Sequence, residues 1–101
     1  MTPTIDLHEN VEEVARVLSA LSNPRRLLVL CHLMQHGETS VSQLTKVIGL
    51  SQSALSQHLA VMRTEELVCA RKDGLNVYYS IADARITELV RSLERIYCTP
   101  A

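Results

Sequence analysis

The chain contains no phenylalanine, no tryptophan and only three tyrosines in 101 residues, although 47% of it is hydrophobic. An apolar core without large rings has to be filled by aliphatic side chains, which suits interlocking helices. Only three glycines and three prolines are present, and no repeat, linker or low-complexity segment appears, so residues 1–101 read as a single domain with residues 1–6 as a flexible tail. No apolar run approaches the roughly 20 residues needed to cross a bilayer. The N-terminus, MTPTIDLHEN, lacks the basic-then-apolar pattern of a signal peptide, so a cytoplasmic protein is expected. There is no CxxC pair to suggest a zinc knuckle, and an odd cysteine count in a reducing compartment says little about structural disulfides. No Gly-rich anion loop or oxyanion arrangement accompanies Cys31 as a nucleophile with His32, His36 or His58 as base, so an enzyme is not expected.

Positive charge is missing from the first thirteen residues, which hold Asp6, Glu9, Glu12 and Glu13. Residues 14–101 therefore carry ten Lys and Arg against seven Asp and Glu (11 − 4), a net +3 hidden inside the formal −1 of the whole chain. A dimer doubles it. This balance permits a nucleic-acid partner without demanding one. A domain of this size buries about two-thirds of its unfolded surface, so association is expected to supplement a small core.

What is present is concentrated between Ser40 and Arg63, SVSQLTKVIGLSQSALSQHLAVMR. Ser40 with Gln43 three residues on is a capping-box pattern, the hydroxyl accepting from the Gln43 backbone N–H while the amide reaches back. A helix starts there. Leu44, Val47 and Ile48 follow at helical spacing, and Gly49 suits the left-handed position that closes a helix. After the corner Gly49-Leu50-Ser51, Ser51 suits the N-cap of a second helix, in which Leu55, Leu59 and Met62 form one apolar stripe. At about 100° per residue, Ser53, Gln57 and Ala60 lie almost opposite that stripe, with Ser56 on its flank. This is a helix-turn-helix whose second helix has a small, polar outer face. Such a face can approach base edges in the major groove and exchange hydrogen bonds with bases and phosphates.

The flanking segments complete the pattern. From about Leu7 to Leu21, Val11, Val14, Ala15 and Leu18 recur at helical spacing. Asn23 as N-cap and Pro24 at the first position begin a second helix to about Gln35, stopping near Gly37, with Leu27, Leu30, Cys31 and Met34 as a buried stripe. Beyond the helix-turn-helix, LVCARKDGLNVYYSI has two strand-length arms about an Asp73-Gly74 turn. It reads as a β-hairpin wing, with Arg71, Lys72 and Asn76 near its tip placed to reach phosphates or the minor groove, and with Cys69 as packing. Asp83 caps a last helix from about Ala84 to Cys98, carrying Ile86, Leu89, Val90, Leu93 and Tyr97 on one side, and Pro100 stops it. The expected fold is mainly α with a β-hairpin, a winged helix-turn-helix in the order α-α-α-α-β-β-α. Its first and last helices are left over from the DNA-binding unit, and their apolar stripes need the cover of a two-fold partner.

Leu21-Ser22-Asn23-Pro24-Arg25-Arg26-Leu27, Leu44 with Gly49-Leu50-Ser51-Gln52-Ser53, Ser56-Gln57-His58-Leu59 and the wing ending Tyr78-Tyr79-Ser80-Ile81 together resemble the ArsR family of winged-helix bacterial repressors, over roughly residues 10–98. The resemblance implies a homodimer joined by the first and last helices, bound to an imperfect palindromic operator in double-stranded DNA and released or reshaped by an effector. It also implies DNA contacts from Ser40, Ser51, Gln52, Ser53, Ser56, Gln57, His58, Arg63, Arg71, Lys72 and Asn76.

Metal-sensing members of the family read ELCVCDL where this chain has Glu38-Thr39-Ser40-Val41-Ser42-Gln43-Leu44, with serine at both thiolate positions. A second family metal site begins DxH; here it is Asp83-Ala84-Arg85, and a guanidinium that keeps its proton cannot ligate. No cofactor and no metal are therefore expected. Cys31 and Cys98 instead resemble the cysteine pair of a thiol-sensing branch, in which persulfides or oxidants link the two within one subunit by a disulfide or short polysulfide and lower operator affinity. DNA binding needs two recognition helices about 34 Å apart, so a small rotation of one subunit breaks the register. The expectation is a dimeric repressor that senses reactive sulfur species or oxidants through this dithiol. The alternatives are a repressor responding to a metal ion or heme, a regulator that counteracts other repressors, and a winged helix used for protein association alone.

Overall fold

Every α-helix after the first begins at a residue whose side chain accepts from its first-turn N–H groups. In a computed structural model, which describes residues 6–98, α1 covers Val11–Leu21 after a 3-10 turn at Leu7–Asn10. The first turn of the expected helix is thus wound more tightly, with Asp6 accepting from the His8 N–H. The rest of the tail, and Pro100, lie outside the described residues. Helix α2 (Pro24–His36) is capped by Asn23, whose side chain accepts from the N–H groups of Arg25 and Arg26. The Ser40 hydroxyl accepts from the Gln43 N–H to start α3 (Val41–Ile48), and the Ser51 hydroxyl accepts from Ala54 to start α4 (Gln52–Thr64). The capping box is only half formed, because the Gln43 carbonyl oxygen meets the Ser40 hydroxyl at 3.5 Å instead of its amide reaching the Ser40 N–H. Gly49 ends α3 at φ 76°, ψ 34°, as the corner requires. Asp83 caps α5 (Ala84–Tyr97) through the Arg85 N–H.

A short strand not expected from the sequence, β1 (Thr39–Ser40), joins the hairpin β2 (Val68–Asp73) and β3 (Asn76–Ile81) in an antiparallel sheet of order β1-β3-β2. Thr39 pairs with Tyr79 and Ser40 with Tyr78. Two residues carry no alternation signal, which is why β1 escapes a pattern search. The hairpin register ends at Asp73 opposite Asn76, leaving Gly74-Leu75 as the two-residue turn, with Gly74 at φ 63°. A glycine with positive φ at the first turn position matches the right-handed twist of the arms. At the end of α4 the left-handed residue is Glu66, φ 60°, with Leu67 N–H bonded to Met62 O and Glu66 N–H to Arg63 O. This is a Schellman closure without its usual glycine.

The core is aliphatic, with Leu30, Leu44, Leu55, Leu59, Met62 and Leu67 among its fully buried side chains. The predicted stripe of α4 is buried in full, at about 1.5–3 kcal/mol for each large side chain. In α2 the buried residues are Val29, Leu30 and Leu33, while Leu27, Cys31 and Met34 are only partly covered. That corrects the expected stripe: α2 is apolar around most of its circumference, so periodicity cannot choose which side faces inward. In α1, Val11 and Leu18 remain about half exposed, and on α5 Ile96 and Tyr97 are more exposed still. Among the described residues no helix is long and apolar enough to cross a membrane.

Candidate functional site

Helix α4 turns its apolar stripe to the core and leaves Gln52, Ser53, Ser56, Gln57 and Arg63 exposed, with Ser51 exposed at its cap. Two arginines of α2 hold the helix-turn-helix in place. Arg25 donates from Nη1 to the Ile48 carbonyl at 2.8 Å, across the corner from α3. Arg26 donates from Nε to the Ala20 carbonyl at the end of α1, and its Nη1 lies 3.3 Å from His58 Nδ1 on α4. A guanidinium only donates, so Nδ1 accepts in this contact and the ring proton of a neutral His58 sits on Nε2. His58 is half-buried and oriented from behind by Arg26.

Between α4 and the wing runs an open groove of about 680 Å³, bordered by Ser42, Gln52, Ser56, Arg63, Leu75 and Asn76. Hydroxyls, amides and one guanidinium suit it to a phosphate strand passing between a helix in one DNA groove and a hairpin in the next. Ser40 borders the groove but is a correction to the expected contact set. It is buried and its hydroxyl is occupied in capping α3, so it shapes the surface from below.

On the wing, Lys72 and Asn76 flank the exposed tip. Arg71, expected beside them as a free cation, is not free. Its Nε and Nη2 donate to the two carboxylate oxygens of Glu38 at 3.0 and 2.7 Å, Asp73 lies 3.7 Å away, and the guanidinium stands 4.8 Å from the Tyr78 ring centroid. The Arg71 hydrogen bonds hold the Glu38 carboxyl below the usual carboxylate range, and Glu38 in turn pushes the Arg71 pKa up. Glu38 was legible only as a residue aligned with a metal-site motif, because no spacing rule links positions 33 residues apart.

Cys31 and Cys98 are both free thiols. Cys31 is half-buried on α2, and Cys98 is exposed at the C-cap of α5, its N–H bonded to the Glu94 carbonyl. Gln35 of α2 donates to the Glu94 carboxylate at 3.4 Å, tying the two helices together beside them. Burial first, then the Glu94 charge, then Cys98 push the Cys31 thiol up from its ordinary pKa. His32, stacked on His36 with ring centroids 4.5 Å apart, has its pKa lowered by burial and by that neighbour, so it offers Cys31 no cationic help. Cys69, expected to pack inward, is exposed on β2 and touches the Ser80 hydroxyl at 3.3 Å. It sits on the outer face of a hairpin, where alternation turns every second residue to solvent. At the position of the family's second metal site, Asp83 is instead held by the Arg85 side chain, which keeps its carboxyl below the usual range.

Residues 23–69 match the sequence profile of bacterial regulatory proteins of the arsR family. The chain is 41% identical over 98 residues to the HTH-type transcriptional regulator YgaV of Escherichia coli K12, covering 97% of this chain and 99% of that one. Reduced HlyU from Vibrio cholerae has a similar structure, with a TM-score of 0.85 at 39% identity over 92% of this chain and 97% of its own. The transcriptional repressor BigR from Xylella fastidiosa superposes with a TM-score of 0.88 at 37% identity, covering 94% of this chain and 96% of that one. With a helix-turn-helix, a wing and end-to-end similarity to these regulators, the chain belongs to the arsR family of winged-helix, DNA-binding transcriptional regulators.

Proposed function

We propose that the protein is a cytoplasmic homodimeric repressor that lets go of its operator when reactive sulfur species or oxidants join Cys31 to Cys98. The exposed apolar residues of α1 and α5, Val11, Leu18, Ile96 and Tyr97, give a second copy its docking face. Arg85 of α5 also stands 3.6 Å from Glu13 of α1. Each subunit then lays the outer face of α4 in a major groove, with Gln52, Ser53, Ser56, Gln57 and the Nε2–H of His58 toward base edges. Arg63, Lys72 and Asn76 bind the backbone on either side.

What supports the sensing step is the junction of α2 with α5, where Gln35, one turn after Cys31, donates to Glu94, one turn before Cys98, at 3.4 Å. Cys98, the exposed thiol, is the first to react, and Cys31 resolves the product. With a peroxide, two thiols lose two protons and two electrons to form the disulfide while the peroxide becomes two waters. With an organic persulfide, the same two thiols give the disulfide, one organic thiol and one hydrogen sulfide, and a second persulfide leaves an extra sulfur in the bridge. Either bridge fastens the helix beneath the reading head to the dimer helix and moves the two recognition helices out of step.

A gel shift with the protein's own promoter, before and after an organic persulfide, tests this reading against Cys31→Ser and Cys98→Ser. Both variants are expected to bind DNA and to ignore the persulfide. Release of DNA by both would show that this dithiol is not the switch.

A further inference from the structure

The wing's arginine is engaged by a neighbour on its own chain. Its two hydrogen bonds to Glu38 form a fork on both carboxylate oxygens, the arrangement in which an arginine–carboxylate pair is strongest and most directional. Tyr78, in register with Arg71 on the neighbouring strand, lies under the guanidinium. Glu38 immediately precedes β1, so the clamp spans the sheet from the α2–α3 connection to the outer wing strand. Electrostatically, Glu38 and Asp73 offset Arg71 and Lys72 on this part of the wing, and it presents no net charge to a duplex.

We infer that Glu38 is a positioning residue for DNA recognition: it withholds Arg71 from the phosphate backbone and braces the wing against the start of α3. Rigid placement of the wing then favours the operator, while the missing cation keeps sequence-independent attraction low. Specificity is a difference between two affinities, and removing an indiscriminate contact widens it as effectively as adding a selective one. This inference rests on the DNA-binding reading above.

Salt dependence separates the two. Each phosphate neutralised contributes about −0.9 to the slope of log K against log salt on duplex DNA. In the reduced full-length protein, Arg71→Ala is expected to leave the slope on a random-sequence duplex unchanged. Glu38→Gln, by freeing Arg71, is expected to steepen that slope by about 0.9 for each wing, or about 1.8 for a dimer. It should also raise random-duplex affinity several-fold at low salt while operator affinity changes less. The double variant, Glu38→Gln with Arg71→Ala, is expected to return to the wild-type slope, which a wing merely loosened by Glu38→Gln would not do. A wild-type slope that becomes shallower on Arg71→Ala alone, or an unchanged slope in Glu38→Gln, overturns the inference. No salt-dependent affinity for any duplex in the wild-type protein overturns the DNA-binding reading instead.

Discussion

Closing a disulfide between Cys31 and Cys98 would constrain the unfolded chain over the 67 residues that separate them (98 − 31), and the loop-entropy relation sets the size of the effect. For a loop of that length it gives about 4 kcal/mol of stabilisation at 25 °C when the native state accepts the bridge without strain. The proposed switch requires that strain. If the bridge is to pull the reading heads out of step, the oxidised protein must settle in an arrangement that the reduced protein disfavours, and the cost of reaching it subtracts from the entropic gain. The bridged form is therefore expected to be more stable than the reduced form by only about 1–3 kcal/mol, short of the loop-entropy value. Guanidinium unfolding followed by circular dichroism, on diamide-treated and dithiothreitol-treated Cys69→Ser protein, reads this difference. The background substitution removes an exposed thiol that touches the Ser80 hydroxyl, so only one intramolecular pair can form. Runs at several protein concentrations are needed, because a dimer unfolds at a concentration-dependent midpoint. Two results would refute the reasoning. A bridged form less stable than the reduced one would mean the sulfurs meet only by disrupting the fold, and the full entropic gain with unaltered operator affinity would mean the bridge is coupled to nothing.

Two further outcomes follow from local geometry. Gly49→Ala should cost about 1–2 kcal/mol, the penalty of a left-handed residue with a side chain; with no atom within 4 Å of the added Cβ, thermal unfolding that shows a much larger loss would contradict the open corner. Because burial and Glu94 raise the Cys31 pKa, its thiolate is scarce below the ordinary cysteine range and gains only as pH climbs past it. Iodoacetamide labelling followed by peptide mass spectrometry should find Cys98 modified well before Cys31 at pH 7. Glu94→Gln should speed Cys31 without equalising the two, since burial remains the larger cause; equal rates in the wild-type protein would contradict the placement.

Local signals were strong wherever a residue acts on its own neighbours. The caps Asn23, Ser40, Ser51 and Asp83, the corner glycine and the stripe Leu55, Leu59 and Met62 follow from hydrogen bonds and spacings within a few positions, so the helix-turn-helix was readable before any coordinates. Reading failed where one residue's role depends on another far away. Arg71 resembles a free wing cation until Glu38 is seen beside it, and Ser40 resembles a surface hydroxyl until its burial in the short strand paired with β3 is known. Cys31 resembles a core residue because α2 is apolar on nearly every side, and only packing against α5 decides which side is covered.

By itself, then, the order of residues determined where helices start and stop, that two of them form a reading head with a hairpin behind it, and that the chain's family pattern lacks the usual metal ligands. Those properties rest on interactions within about one or two helical turns, which the chain carries wherever it goes. Tertiary structure alone decided that Glu38 holds the wing arginine, that Arg26 stands behind His58 and that Gln35 of α2 reaches Glu94 of α5. Each of these is a meeting between segments 32 to 59 positions apart, and it exists only once the aliphatic core has drawn them together.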